Sequence, residues 1–495
     1  MRKNSVAIPG NLHAALKRHL LRADRQEDIC LTTYALSTGA TRTTRLIQAV
    51  HLPSDADRAV HGNATIMGSY VLRVATQAAK FGLGVAVLHS HPGARGWQEL
   101  SKPDFDAEQS YAALVRQITG LPLLGLTLAS DETWSARIWF NETPTWVGSV
   151  RRVGVNLTVS WNDAEVPAPK SVESQLRTIS AWSESLHRDI TRLRVLVVGV
   201  GSVGLDIVQR LAATGVLTIG VMDVDHVHEV NRDRMIGATR RDARRRRRKV
   251  DVAARLARRA ATAPQFRVVT HHTNACTPDG LAAVLDYDII FSCVDRPWPR
   301  ALLNSVAYSD LIPVIEGGIA IDTFDDGSMR GATRRTQTAV PGRPCLACSG
   351  QLNSAEVTLE MSGDLDDPEY IRRAGREEVS GRPNVAALCA GVSASQLEHF
   401  VSLVARPGGQ GVPPPLRFSL ALQYLEHCDR NAAEHCYVES HVACGDGRVN
   451  LTRATHEVGR RTQRGKDRDS RRVGKCILVG AYRILNRRRE EVFRD

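Results

Sequence analysis

Gly199-Val-Gly201-Ser-Val-Gly204 lies directly behind the apolar run Arg194-Val-Leu-Val-Val and opens a helical stretch from Val203. Glycines at that spacing, between a strand and a helix, let the backbone turn tightly and approach phosphate oxygens, which backbone N–H groups and the helix N-terminus can bind. Asp223 follows about twenty residues on, a position suited to a ribose hydroxyl. A helix near Ser174 to Asp189 precedes this unit, and strands and helices alternate after it. Strands are expected at Thr218 to Met222, Arg267 to Thr270, Asp288 to Cys293 and Pro313 to Glu316, with helices from Lys249, Asp279 and Arg300. That alternation requires crossover helices and a mostly parallel sheet. Taken alone, the glycine loop equally suits a nicotinamide enzyme.

With 495 residues the length prior is roughly three domains, and 43% hydrophobic with 24% charged residues excludes wholesale disorder. The net charge of +12 is unevenly placed: fourteen Lys/Arg against six Asp/Glu lie between Leu451 and Asp495, so the first 450 residues are nearly balanced. A basic tail from 449 to 495 reads first as a solvated, disordered extension and second as a nucleic-acid or membrane arm, so a nucleic-acid partner is not expected of the body. The N-terminus lacks the apolar core of a signal peptide, and no uninterrupted run of about 18 apolar residues occurs, so a cytoplasmic protein without a membrane partner is expected. Ten cysteines without a secretory signal point to metal binding or thiol chemistry.

Residues 1–150 read as a separate mixed α/β domain, 151–172 as a linker and 173–448 as the second domain. In the first, the apolar strand Gly84-Val-Ala-Val-Leu-His89-Ser-His91 ends on two histidines that face the same way, because strand residues two apart share a face. Asp104, opening the following helix, can supply a third ligand. Two His, one Asp and a water make a four-coordinate catalytic zinc centre whose water has a pKa of roughly 7, its proton passing to a nearby carboxylate.

His89-Ser-His91-Pro92, Ser101 and Asp104 resemble the motif of the JAMM (JAB/MPN) metalloproteases, which cut after ubiquitin-like C-termini. The nine residues between His91 and Ser101 are slightly more than that family's gap. The resemblance implies that Ser101 polarises the tetrahedral intermediate and that an upstream Glu is the general base. Glu27, before the strand at Cys30, is the better match, and Glu99 the alternative.

Asp223-Val-Asp225-His-Val-His-Glu-Val-Asn231-Arg-Asp-Arg234, then Lys249, then Phe291-Ser-Cys-Val-Asp295, resemble the ThiF/MoeB-type, ubiquitin-activating-enzyme-like adenylyltransferases over about residues 173–445. The resemblance implies a Rossmann-like adenylation domain that works as a homodimer on magnesium-ATP and a small β-grasp protein with a C-terminal glycine. Asp223 would then hold the ribose, Asn231, Arg234 and Lys249 the phosphates, and Asp295 the magnesium, with Arg177 reaching ATP across the dimer. The cationic set fits a reaction in which a carboxylate attacks the α-phosphate and pyrophosphate departs. The run Arg244 to Arg248 reads as a solvated face or as a docking surface for an acidic partner or the phosphates.

Cys345-Leu-Ala-Cys348 stands where that family carries half of a structural zinc site. The second Cys-x-x-Cys is missing; of Cys428, Cys436 and Cys444, the pair Cys436 and Cys444 is favoured to complete it. Cys389 is the nearest candidate for a thioester, but its setting reads as the start of a packed helix. The two resemblances together imply a bifunctional, bacterial-type enzyme of ubiquitin-like protein metabolism, partnered by a conjugating enzyme or by a sulfur donor. Alternatives are sulfur-carrier activation in cofactor or metabolite synthesis, a tag-binding scaffold with two dead sites, and a nicotinamide oxidoreductase.

Overall fold

The computed structural model describes residues 2–61, 63–140, 142–366, 383–428 and 432–452. Most of the basic tail expected from 449 on therefore lies outside the described residues.

The chain forms two large sheets. The first runs β1 (Lys3–Pro9), β2 (Ile29–Thr38), β3 (Arg42–His51), a separate hairpin of β4 (Arg58–His61) and β5 (Asn63–Ile66), then β6 (Gly84–His91), β7 (Leu123–Ala129), β8 (Trp134–Trp139), β9 (Thr145–Trp146), β10 (Ser149–Val153) and β11 (Leu157–Trp161). The spatial order is β11-β10-β1-β3-β2-β6-β7-β8-β9. Helix α1 (Gly10–Leu20) covers one face, packing Leu16 and Leu20 against Val6, Ile8, Tyr34, Leu88 and Leu126. Helices α2 (Gly68–Ala79) and α3 (Lys102–Thr119) cover the other, where Val85 and Val87 alternate towards Val71, Val74 and Val115. That is the face of β6 on which residues 89 and 91 also fall.

One correction concerns the expected linker at 151–172. Its first half is structured: β10 and β11 pair with each other and extend the first sheet, with Val150 opposite Val6. The charged Arg151 and Arg152 disguised the strand, because Arg151 is buried where the two sheets meet and not solvated.

The second sheet contains β12 (Arg194–Val198), β13 (Thr218–Met222), β14 (Arg267–His271), β15 (Ile289–Ser292), β16 (Val314–Thr323), β17 (Met329–Ala339), β18 (Leu416–Ser419) and β19 (Tyr424–His427), in the order β14-β13-β12-β15-β16-β17-β18-β19. The first five in that order are parallel, as the alternation requires, and the last three add antiparallel pairs. Around it lie α4 (Leu176–Trp182), α5 (Glu184–Arg192), α6 (Ser202–Thr214), α7 (Arg240–Arg244), α8 (Lys249–Ala260), α9 (Pro278–Val284), α10 (Pro297–Ser309), α11 (Ser354–Ser362) and α12 (Ala386–Ala405). The single helix expected near 174–189 breaks at Ser183, whose φ of 75° ends α4 and whose side chain caps α5. Helix α12 is apolar and long enough to cross a membrane by composition, yet Val392, Phe400 and Leu403 are buried and Gln396 donates to Ile315 O at 2.9 Å, so it packs as a core helix.

The chain runs outward from β12 to β13 and β14, then returns to β15 on the other side of β12. That reversal creates a crevice beyond the carboxyl ends of β12 and β15, where open α/β sheets bind ligands.

The two sheets share one core, in which Ala7, Leu46, Val153 and Leu157 cluster with Val340, Phe400, Leu403 and Val412. Polar contacts register the junction. Asp286 accepts from Thr41 N at 2.9 Å, Thr41 Oγ1 at 2.6 Å and Arg42 N at 3.0 Å. A Cβ on Gly39 would stand 2.3 Å from Asp286 Oδ1, so only glycine allows this approach.

Candidate functional site

Two groups of polar side chains converge, one on each sheet. On the second, the glycine loop occupies the crevice. Gly199 has φ 86°, and a Cβ there would lie 2.6 Å from Cys293 O; a Cβ on Gly204 would lie 2.1 Å from Gly199 O. Both must be glycine for the loop to close against β15 and for α6 to start beneath it. Above Gly201 the space is open. Asp223, at the end of β13, accepts from Val200 N at 2.9 Å and Asp225 N at 2.8 Å, tying its carboxylate to the glycine loop.

Lys249 opens α8 and reaches back to Asp225, Nζ to Oδ2 at 2.8 Å. Burial opposes the ammonium, yet the charges of Asp223, Asp225 and Asp295 raise its pKa. Burial also pushes the Asp223 carboxyl above its usual range, with Lys249 opposing. Arg234 donates to Val230 O at 2.7 Å and to Asp233 at 2.9 Å, and Asn231 Oδ1 accepts from His228 N at 3.0 Å, so both are anchored to the same short turn. Arg177 lies exposed on α4, and among the described residues no side-chain hydrogen bond or ion pair joins it to these groups.

Cys389 sits in the first turn of α12, buried, with its thiol donating to Asn384 Oδ1 at 2.7 Å. Burial raises its pKa, although Ser202 of the glycine loop, Asn384 and Arg234 oppose this. A thiol so placed stays protonated at neutral pH and is a poor nucleophile.

On the first sheet, a cleft of about 490 Å³ is lined by Glu27, His89, His91, Ser101 and Asp104, with Ala64, Ile66, Val87 and Tyr111 as apolar walls. Glu27 precedes β2, whose Ile29 pairs with His89. Glu99 is exposed on the loop and is not part of the lining. Ser101 is the N-cap of α3: its hydroxyl donates to Asp104 Oδ2 at 2.6 Å and accepts from Asp104 N at 3.2 Å. The Ser-x-x-Asp spacing thus builds a capping box that aims Asp104 at the histidines.

His89 Nε2 and His91 Nε2 are 3.2 Å apart, and Asp104 oxygens stand 3.5 Å and 3.3 Å from them. The two Asp104 distances are to Oδ1 and Oδ2 respectively; with one ligand atom from each of the three residues within 4.8 Å of the others, two imidazoles and a carboxylate make a donor set that fits a zinc ion. Burial alone would raise the Asp104 pKa; hydrogen bonds from His89 and His91 outweigh it and hold the carboxyl far below its usual range.

The sequence reading missed the support behind this triad. Glu108, one helical turn beyond Asp104, is buried and accepts from Arg137 Nε at 2.9 Å and Trp139 Nε1 at 2.7 Å. Arg137, fully buried, also donates to Thr127 Oγ1 at 2.6 Å, and that hydroxyl stands 3.3 Å from His89 Nε2. The available signal was a lone arginine inside the apolar strand Trp134–Trp139, matched by a glutamate four residues after Asp104.

The cysteines require a correction. Cys345, Cys348 and Cys436 converge, but the fourth group is Glu439, with all ligand atoms within 4.8 Å of one another. Cys444 lies instead near Asp310 and Arg448. Glu439 Oε1 is buried without a hydrogen-bond partner among the described residues, and Cys345 Sγ is 3.6 Å from Cys436 Sγ. Three cysteine sulfurs and a carboxylate with one oxygen unpartnered fit a zinc ion. The spacing that signals this is Cys436-x-x-Glu439, which a search for cysteine pairs passes over.

A family model described as the ThiF family matches residues 172–432, more than half of the chain. The chain belongs to the ThiF family. Over 145 residues it is 29% identical to the adenylyltransferase and sulfurtransferase UBA4 of Meyerozyma guilliermondii, covering 28% of this chain and 33% of that protein. Over 135 residues it is 32% identical to the adenylyltransferase and sulfurtransferase MOCS3 of Culex quinquefasciatus, covering 26% and 28%. The ThiF-family chain thus spans about a third of the length of the curated relatives it matches. Among solved structures it is similar to E. coli MccB with ATP, at a TM-score of 0.43 and 15% identity over 54% of this chain and 74% of that one. The family match begins after the first sheet, so the cleft with His89, His91 and Asp104 lies outside it. The two curated relatives are eukaryotic and give no support to a bacterial-type setting.

Proposed function

We propose that this chain adenylates the C-terminal carboxylate of a small β-grasp carrier protein with ATP, as the activating step of sulfur-carrier or ubiquitin-like protein metabolism. The observation that carries this reading is the 2.8 Å ion pair of Lys249 with Asp225, whose backbone N–H is bonded to Asp223, which in turn accepts from Val200 N of the glycine loop. The backbone N–H groups of Gly199 to Gly204 bind phosphate oxygens; Lys249 and Arg234 stabilise the charge that grows on departing pyrophosphate as the carboxylate attacks the α-phosphate. Asp223 orients the ribose. Magnesium, when bound, neutralises phosphate charge, and Asp295 would hold it. Cys389 is buried with its thiol bonded to Asn384, so on this reading the acyl-adenylate passes to a partner's thiol or sulfur donor. The names of the curated relatives, which pair adenylyltransferase with sulfurtransferase, favour the sulfur-carrier setting. A nicotinamide enzyme has no use for Lys249 and Asp295. Working as a cytoplasmic homodimer would give Arg177 a route to the partner's nucleotide.

A second reading is favoured by the convergence of His89, His91 and Asp104 in one cleft: the first sheet carries a zinc hydrolase that trims or releases the same carrier, as the JAMM resemblance implies. The ion would supply an activated water and polarise a carbonyl. Glu27 would take the proton, Ser101 Oγ–H would face the oxyanion, and the apolar walls at Ala64, Ile66 and Val87 would admit a slim, glycine-ended segment.

Intact-mass analysis of small proteins retained with magnesium-ATP from the native lysate tests the first reading, with Asp295→Ala as control. A glycine-ended protein carrying AMP, absent with the variant, is expected; retention of a small protein without AMP in both samples would favour a scaffold instead. Cleavage of a carrier with a C-terminal extension, lost in His89→Ala, tests the second.

A further inference from the structure

We infer that Gln98 is a positioning residue of the candidate zinc centre: its side-chain oxygen takes the Nδ1 hydrogen of His91 and so leaves Nε2 of that ring as the metal-binding atom. This rests on reading His89, His91 and Asp104 as a zinc site, and not on which bond the site cuts.

A neutral imidazole carries its proton on one nitrogen and offers a lone pair on the other, and the partner of the first decides which is which. His91 Nε2 faces His89 and Asp104; Gln98 Oε1 stands 3.5 Å from His91 Nδ1, the one hydrogen-bond partner of that nitrogen among the described residues. The orientation of the amide is fixed independently of the histidine. Gln98 Nε2 donates to Arg95 O at 2.9 Å and to Gly96 O at 3.0 Å, so the nitrogen end is held by two carbonyls and the oxygen must point the other way.

The loop that carries Gln98 is itself fastened at four points to the turn between β7 and β8 and the start of β8. Gly93 N donates to Ser130 Oγ at 2.7 Å, Ser130 N to Ala94 O at 3.0 Å, Gly96 N to Asp131 Oδ2 at 2.9 Å, and Gln98 N to Ser135 Oγ at 2.5 Å. Gly93 and Gly96, with φ of 84° and 73°, supply the left-handed turns that fold it back. The length between His91 and Ser101 thus has a use: it returns a side chain to the outer edge of the first histidine's neighbour. Thr127 Oγ1 stands 3.3 Å from His89 Nε2, on the side of that ring that faces the site, whereas Gln98 meets His91 at its outer nitrogen.

The test uses the full-length protein and zinc, measuring by chelator competition the affinity of the ion that is lost in Asp104→Ala. Gln98→Met keeps the stem and removes both the acceptor and the donors; Gln98→Glu keeps an acceptor oxygen on the same stem. Loss of an outer partner to a ligating histidine costs roughly 10–100-fold in metal affinity, and that fall is expected for Gln98→Met, with a changed visible spectrum of the cobalt(II)-loaded protein. Gln98→Glu is expected to restore most of the affinity and the parent spectrum. Parent-like affinity in Gln98→Met, while His91→Ala loses the ion, overturns the inference and leaves the zinc reading standing. Equal weakening by Gln98→Glu also overturns it, because the amide donors that fasten the loop would then account for the effect. If the parent binds no more zinc than Asp104→Ala, the zinc reading itself fails.

Discussion

Arg42, at the start of β3, points its guanidinium at the carboxylate of Asp288, the residue that leads into β15, and both are buried where the two sheets meet. Arg42 also donates to the carbonyls of Leu285 at 3.1 Å and of Tyr287, and Asp288 accepts from Arg194 N at 2.9 Å. Arg151 stands 3.5 Å from the same carboxylate. Burial would raise the Asp288 pKa, but Arg42 and Arg151 reverse it. Removing Arg42 leaves Asp288 with Arg151 alone and the Leu285 and Tyr287 carbonyls without this donor, a cost approaching the roughly 3–5 kcal/mol of breaking a buried pair. Arg42→Ala is therefore expected to lower the unfolding free energy by that order in urea titrations. A loss below about 1 kcal/mol would mean that water reaches the junction and that the pair is no stronger than a surface ion pair.

Lys249 pairs with Asp225 at 2.8 Å, which on the proposed reading holds the ammonium where phosphates would arrive. A fixed donor aimed at developing charge contributes roughly 10²–10³ in turnover. Lys249→Ala is expected to reduce carrier-dependent pyrophosphate exchange by that factor with the fold intact, as judged by an unchanged unfolding midpoint. Lys249→Arg should recover little, since a planar guanidinium cannot take the same compact position. Exchange at the parent rate in Lys249→Ala would exclude Lys249 from the phosphate site.

The parallel half of the second sheet could be read directly, because each strand there is a continuous apolar run between turn signals and each crossover helix has its own period. The strands β10 and β17 could not: Arg151, and Arg334 and Arg335 on β17, look solvated in sequence but are placed beside buried carboxylates or an aromatic ring, as Arg335 is against Glu316 at 2.8 Å and Arg334 over Phe418. At the first sheet, the spacing of His89, His91 and Asp104 survives as geometry because all three depend on one strand end and one helix start. Glu108 lines the same cleft from a helix face, while Arg137 and Gln98 come up behind it from a strand two places away and a loop, and only the fold relates them. Glu439 escaped for a different reason: a carboxylate standing where a thiol was sought carries no cysteine signal.

The cysteine cluster makes a direct comparison possible. Cys345, Cys348, Cys436 and Glu439 have their ligand atoms within 4.8 Å of one another, and Cys444 is elsewhere. Burial pushes the Cys345 thiol up to about 12, so zinc binding there must displace protons and weaken as pH falls. Elemental analysis after dialysis against a chelator should find that Cys444→Ser keeps the parent's tightly held zinc while Glu439→Ala loses it. The reverse pattern would restore Cys444 as the ligand.

His399 lies on α12 against β17, with Nδ1 3.0 Å from Thr338 Oγ1 and Nε2 buried without a partner among the described residues. Burial lowers its pKa from 6.5 to about 4. Between those two values the unfolded chain takes up a proton that the folded chain refuses. The stability contributed by a neutral His399 is therefore complete above pH 6.5 and is lost progressively as pH falls towards 4, with a slope of at most about 1.4 kcal/mol per pH unit for one proton. His399→Gln removes the titration while keeping a group able to bond Thr338. Its unfolding free energy, measured in urea at intervals from pH 7 to pH 4.5, should fall less steeply than that of the parent, so that the two curves converge at the acid end. Parallel curves would show that water already reaches Nε2 and that α12 packs less closely on β17 than these contacts require.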